Sequence, residues 1–160
     1  MLKKRELPKA LQNLRLPVVA APLFIVSCPK LVIAQCKAGV IGSFPALNAR
    51  DEDGGPVMLE AWLKEITEEL DRHNQANPDN PAAPFAVNQI VRKTNERLER
   101  DMEICVRWKV PIWITSMGAR VDVNEAAHSC GGIALHDVIN NTYAKKAIDK
   151  GADGLIAVCA

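Results

Sequence analysis

The sequence predicts a parallel α/β fold assembled from repeated strand–helix units, and three observations carry that prediction. Short apolar runs recur at Val18–Leu23, Val40–Phe44, Phe85–Ile90, Ile112–Thr115, Ile133–Val138 and Leu155–Val158, with helix-period segments between them. Strands alternating with helices imply parallel pairing through right-handed crossovers. The apolar residues are mostly aliphatic: 48% of the 160 residues are hydrophobic, yet there are only three Phe, three Trp and one Tyr. A core of Val, Ile, Leu and Ala is what strands buried on both faces require. The later units are also tight, with Ile112, Ile133 and Leu155 opening successive runs.

Each element has a local reason. After Pro29, the stretch Leu31–Ala38 reads as a helix that Gly39 stops in the left-handed conformation. Leu59, Trp62, Leu63, Ile66 and Leu70 fall on one helical face, with Glu60, Lys64, Glu65, Glu68 and Asp71 outside it. Leu98, Met102, Cys105 and Val106 repeat the pattern ahead of Val110-Pro111. Asp122 to Cys130 reads as a shorter helix closed by Gly131-Gly132, and Ala144, Ala147 and Ile148 mark a last one closed by Gly151. The polar stretch Asn74–Pro84, with Pro78, Pro81 and Pro84, reads as one surface loop within a single domain spanning residues 1–160.

Composition excludes several functions. Twenty Lys+Arg against nineteen Asp+Glu leave a formal charge of +1, so there is no electrostatic case for a nucleic-acid partner. No apolar stretch reaches the roughly 18–20 residues that span a bilayer. Lys3, Lys4 and Arg5 ahead of Leu16–Cys28, ending Ile25-Val26-Ser27-Cys28, imitate a lipoprotein leader. Arg15, Pro17, Pro22 and Pro29 argue instead for a strand, a loop and a helix start. Cys28, Cys36, Cys105, Cys130 and Cys159 are odd in number and contain no CxxC pair. The expectation is a cytoplasmic protein with reduced thiols, no disulfide framework and no metal site.

In parallel α/β sheets, ligands bind at the carboxyl ends of the strands. The residues predicted there are Ala20-Ala21-Pro22-Leu23, Ser43-Phe44-Pro45, Asn88-Gln89, Thr115-Ser116-Met117-Gly118, His136-Asp137 and Cys159-Ala160. They suit a flat, hydrogen-bonding ligand, or equally serve as ordinary strand ends and caps. His136 and Asp137 are adjacent on a strand and point to opposite faces, so they form no dyad with each other. His136 reads as a structural histidine, His128 as a helix-end or surface residue and His73 as solvated. Gly54-Gly55 lies in an acidic loop, and Gly131-Gly132 precedes a strand. Neither makes a GxGxxG or Walker A phosphate cradle. Six strands and five helices fit an open doubly wound sheet, or six of the eight units of a (β/α)₈ barrel. The sixth run ends at Val158-Cys159-Ala160 with no covering helix, so the expectation is a fragment, or a partial fold that self-associates through its exposed strand edges.

The stretch from Leu16 to Ser27, Leu-Pro-Val-Val-Ala-Ala-Pro-Leu-Phe-Ile-Val-Ser, resembles the first strand and loop of the nitronate monooxygenases, FMN-dependent TIM-barrel enzymes. The resemblance continues from Val32 to Arg50, and returns at Phe85-Ala86-Val87-Asn88, Ile114-Thr115-Ser116-Met117-Gly118, His136-Asp137-Val138 and Gly151–Ile156. It implies a parallel (β/α) barrel of TIM type ending after its sixth strand. It also implies oxidation of alkyl nitronates by O₂ to a carbonyl compound and nitrite. Ala21, Pro22 and Leu23 match the loop that lies against the flavin ring, with backbone amides at its polar edge and apolar side chains on its face. Asn88 matches a third-strand residue that approaches the cofactor. Thr115 matches a fourth-strand position near the flavin where some relatives carry lysine. The family's catalytic histidine sits in a Gly-Gly-His loop after the sixth strand, and this chain halts at Ala160. The resemblance therefore offers no catalytic residue here and no phosphate grip, and the isolated chain is expected to bind FMN weakly or not at all, with negligible turnover. Two other readings are a related FMN-dependent enoyl reductase or NADH:quinone reductase, and a non-catalytic partial barrel completed by association.

Overall fold

The computed structural model describes residues 7–52 and 57–158. Lys3–Arg5, Gly54-Gly55 and the rim pair Cys159-Ala160 lie outside them. Five strands, β1 (Gly42–Pro45), β2 (Phe85–Ile90), β3 (Ile112–Ser116), β4 (Ile133–Val138) and β5 (Gly154–Ala157), form one parallel sheet in the order β1-β2-β3-β4-β5. Helices α1 (Pro29–Lys37), α2 (Met58–Ala76), α3 (Leu98–Arg107), α4 (Val121–Ser129) and α5 (Asn141–Asp149) alternate with them. Spatial order equal to chain order decides between the two architectures open to the sequence. A doubly wound sheet reverses its strand order at a switch point, whereas a (β/α) barrel never does. The described residues form an arc of a TIM-type barrel.

The two faces of the arc carry different cores. On the helix side, Phe44, Val87, Trp113 and Ala134 pack with Leu59, Leu63, Ile66, Leu98, Ile104, Val123 and Ala127. On the concave side, Ile41, Ala86, Ile112, Ile114, Ile133 and Leu135 form a separate aliphatic cluster that Ala10, Leu11 and Leu14 join. Period-2 alternation assigns the remaining strand residues. Ser43, Asn88, Ser116 and Asp137 share the concave face, while Gln89, Thr115 and His136 share the helix face.

The predicted strand Val18–Leu23 is corrected by the structure: it makes only a single parallel bridge, Val19 to Ile41. Two hydrogen bonds hold it, Ile41 N–H to Val18 O and Ala20 N–H to Ile41 O. Pro17 and Pro22 bracket the run and supply no N–H, so the ladder cannot lengthen. Beyond Ala20 the chain instead lifts into a turn. The Asn74–Pro84 loop is also shorter than expected, because α2 runs on to Ala76.

Helices α1, α3, α4 and α5 end alike. In α1, Gly39 N–H bonds Cys36 O and Val40 N–H bonds Gln35 O, the paired bonds of a Schellman cap. The same pair closes α4 at Gly131 and α5 at Gly151. At α3 the left-handed position is Lys109, with φ of 50°, a stop that the sequence pattern does not signal.

Trp113 is completely buried, and its indole N–H is satisfied by Val110 O at 3.2 Å. Replacing it by Ala empties the centre of the helix-side core and takes the indole donor from that carbonyl. We expect Trp113→Ala to lower unfolding stability by about 3–5 kcal/mol in urea denaturation.

Candidate functional site

The concave face changes character along the strands. Near their amino ends Ala86, Ile112 and Ile133 stand in register, and one layer further on Ile114 and Leu135 stand beside Asn88. At the carboxyl ends the same face carries Ser116 and Asp137. An aliphatic floor thus rises to a rim of amide, hydroxyl and carboxylate groups.

Asn88, 4% exposed, donates both Nδ2 protons within the sheet, to Ile114 O at 3.0 Å and Ser116 Oγ at 2.8 Å. Its Oδ1 is what it has left to present. Ser43 Oγ donates to Ala20 O, tying the first segment to β1. Pro45 pairs with Asn88 in the register, so the chain leaving β1 and the chain leaving Ala20 reach the rim side by side.

Ala21 and Leu23 are exposed and Pro22 half-buried at this rim, where the strand-end pattern predicts them. The donors of this loop are fewer than expected. Pro22 has no N–H, and the Leu23 N–H bonds Ser27 Oγ at 2.9 Å. Ala21 is therefore the one main-chain donor these three residues can offer. Leu23, Phe24, Ile25 and Val26 follow as four consecutive apolar side chains, 48–74% exposed.

Thr115 is not brought together with Asn88. It lies on the helix face, with its Oγ1 2.6 Å from Nδ1 of the registered His136. His136 is the buried structural histidine that the sequence suggests, and burial lowers its pKa from 6.5, with Asp137 opposing that shift. On the same face, Gln89 donates Nε2 to Cys105 Sγ at 3.3 Å. Burial drives the Cys105 thiol far above its ordinary range and raises Cys36 to about 11. Neither thiol is a nucleophile at neutral pH.

The other histidines have structural partners. His128 Nε2 lies 2.8 Å from Asp153 Oδ2, which also accepts from Ala134 N–H. His73, in the last turn of α2, contacts Asn80 O at 3.3 Å. Among the described residues no cluster of His, Cys, Asp or Glu is placed to hold a metal, and no helix is long and apolar enough to cross a membrane. A separate cleft of about 450 Å³, lined by Lys9, Gln12, Asp71, Asn74 and Pro111 among others, lies at the amino ends of the strands, opposite the rim.

Sequence reasoning missed Asn48 and Ser27 as rim residues. Asn48 Oδ1 accepts from Ile25 N–H at 3.0 Å, while its Nδ2 donates to Leu23 O and Ser27 O, each at 2.9 Å. The partners lie more than twenty residues apart, beyond any periodic signal.

A fold and rim of this kind define a (β/α)-barrel segment with a candidate ligand site at its carboxyl end. No family model matches the chain, and no curated protein does. Solved structures match by fold. FabK from Thermotoga maritima superposes with a TM-score of 0.73 at 21% identity, over 92% of this chain and 42% of that one. Nitroalkane oxidase from Streptomyces ansochromogenes superposes at 0.72 and 21% identity, over 92% and 48%. A KDPGal structure matches more distantly, at 0.52 and 16%, over 88% and 58%. The chain spans under half the length of FabK and of nitroalkane oxidase.

The lowered His136 pKa gives a pH prediction with a definite sign. Above pH 6.5 the ring is neutral both folded and unfolded, and contributes nothing to the pH dependence. Below it the unfolded chain binds a proton that the folded chain resists, so stability falls as pH drops through 6.5 toward the lower folded pKa. Chemical denaturation across this range is expected to show that loss in the wild type and less of it in His136→Gln.

Proposed function

We propose that this chain supplies the first strands and the ring-binding rim of an FMN-dependent oxidoreductase that oxidises alkyl nitronates with O₂ to a carbonyl compound and nitrite. One observation carries the reading: a polar inward rim at Asn88 and Ser116 stands beside an exposed apolar crest at Leu23–Val26. A flat ring system with apolar faces and a hydrogen-bonding edge needs both. The fold likeness to nitroalkane oxidase, whose name gives nitroalkanes, the neutral conjugate acids of nitronates, supports it.

The residues present fit the ring of FMN. Asn88 Oδ1 would accept from a ring N–H, the Ala21 N–H would donate to a ring acceptor, and Pro22 and Leu23 would cover one face. When bound, FMN would take up the electron pair removed from the nitronate and pass it to O₂. The aliphatic floor of Ile114 and Leu135 would exclude water beneath the ring and strengthen the polar contacts at its edge. Thr115, on the opposite face, would make no contact with the ring and would instead anchor β3 to β4 through His136.

A second reading, a related FMN-dependent enoyl reductase, draws on the equal likeness to FabK. A shared fold does not choose between these chemistries. In the complete oxidoreductase, nitrite release from a nitronate with O₂ consumption favours the first, and NADH-dependent reduction of an enoyl thioester favours the second. We also propose self-association through β5, whose outer edge has no partner strand among the described residues; light scattering would then show a mass above the monomer.

The ring site can be tested apart from the phosphate. Riboflavin and FMN should quench on titration with the chain at similar, weak affinities, because the proposed contacts are to the ring. Asn88→Ala should weaken both about tenfold, equivalent to a loss of about 1.4 kcal/mol. Thr115→Val should lower stability by about 1 kcal/mol and leave flavin affinity unchanged. Because the ring contacts need no phosphate grip, the rim alone should bind weakly, and a chain that quenches neither flavin overturns the reading.

A further inference from the structure

The turn that lifts the apolar crest is unusually constrained for an exposed loop. Ser27 is fully buried; its Oγ accepts from Leu23 N–H and its N–H donates to Leu23 O at 3.0 Å, closing the turn on itself. Ile25 sits at φ of 69°, a left-handed conformation that a β-branched residue rarely adopts. Such strain persists only where the surroundings over-determine it. The surroundings here are largely one side chain. Asn48, at the end of the short 3-10 turn Ala46–Asn48 after β1, uses both of its amide protons and its oxygen on the main chain of Leu23, Ile25 and Ser27. A smaller hold comes from the Arg50 guanidinium, 5.7 Å from the centre of the Phe24 ring. Four apolar side chains are thus kept in solvent by polar bonds to the backbone beneath them. Hydrophobic burial alone would collapse them, so polar bonds rather than apolar packing set this arrangement.

We infer that Asn48 is a positioning residue of the rim. Acting through the main chain of Leu23, Ile25 and Ser27, it holds the Leu23–Val26 crest in the one conformation that receives the flavin ring beside Asn88. The inference rests on the flavin reading above and deepens it. The side-chain chemistry of Asn48 suits this role, because only an amide of this length offers two donors and one acceptor from a single short side chain. Aspartate keeps the acceptor for Ile25 N–H, but when ionised it sets a negative charge against the carbonyls of Leu23 and Ser27.

Amide hydrogen exchange and flavin spectroscopy test this together on the full chain. In Asn48→Ala, the Leu23 and Ser27 amides, which do not bond to Asn48, should lose protection at least tenfold, while β2, β3 and β4 keep theirs. The visible circular dichroism that riboflavin acquires on binding should shrink, with affinity about tenfold weaker. Asn48→Asp should behave like Asn48→Ala at neutral pH. As acid protonates its carboxyl and restores one donor, it should regain both turn protection and flavin signal, a pH dependence the wild type lacks. Unchanged protection in Asn48→Ala overturns the inference. So does lost protection with undiminished flavin binding, because Asn48 would then order the turn without positioning a ligand. A wild-type chain that binds no flavin overturns the flavin reading and this role with it, whereas a wild type that binds and an Asn48→Ala variant that binds equally overturns this role alone.

Discussion

Parallel pairing of five short strands obliges the sheet to be covered on both sides, because neither face of such a sheet can be left to water. Everything else follows from how that demand is met. Successive residues alternate between a helix-side core around Trp113 and Phe44 and a concave core around Ile112 and Ile114. The helices cover the first. The curvature of the arc and the plug of Ala10, Leu11 and Leu14 cover the lower part of the second. At the carboxyl ends the concave face carries Ser116 and Asp137 in place of aliphatic residues.

That division gives each polar strand residue its role. Asn88 and Ser116 face the concave side and bond to each other, so the amide is oriented before any ligand arrives. Thr115 and His136, one residue out of phase, bond to each other beneath the helices. The two pairs differ by a single step along the pleat. One faces the concave rim, and the other ties β3 to β4. Preorganisation of this kind lowers the ordering cost of binding, and the Asn48 clasp extends it from the strands to the loop.

Much of the fold is legible in the sequence. The stops at Gly39, Gly131 and Gly151 mark helix ends because the left-handed cap favours glycine, and the α2 stripe shows its buried face directly. The left-handed stop of α3 at Lys109 is illegible, since a lysine at that position carries no glycine signal. Val18–Leu23 reads as a strand from its apolar pattern, but strand formation needs a partner with free N–H and C=O groups in register, and Pro17 and Pro22 interrupt its own. Of the candidate site, Ala21, Pro22, Leu23 and Asn88 lie at the rim, while Thr115 lies on the other face. A resemblance aligns positions along the chain but does not carry the phase of the pleat, which pairing determines.

The amino-acid sequence by itself determined the βα alternation, the aliphatic core, the near-neutral charge and the set of residues at the strand ends, because each depends on local periodicity or composition. Tertiary structure alone decided the strand order that makes the sheet a barrel arc, the face on which Asn88, Thr115 and His136 lie, and the clasp from Asn48 to Leu23, Ile25 and Ser27. Those depend on contacts between residues 19 or more positions apart, which no local pattern encodes.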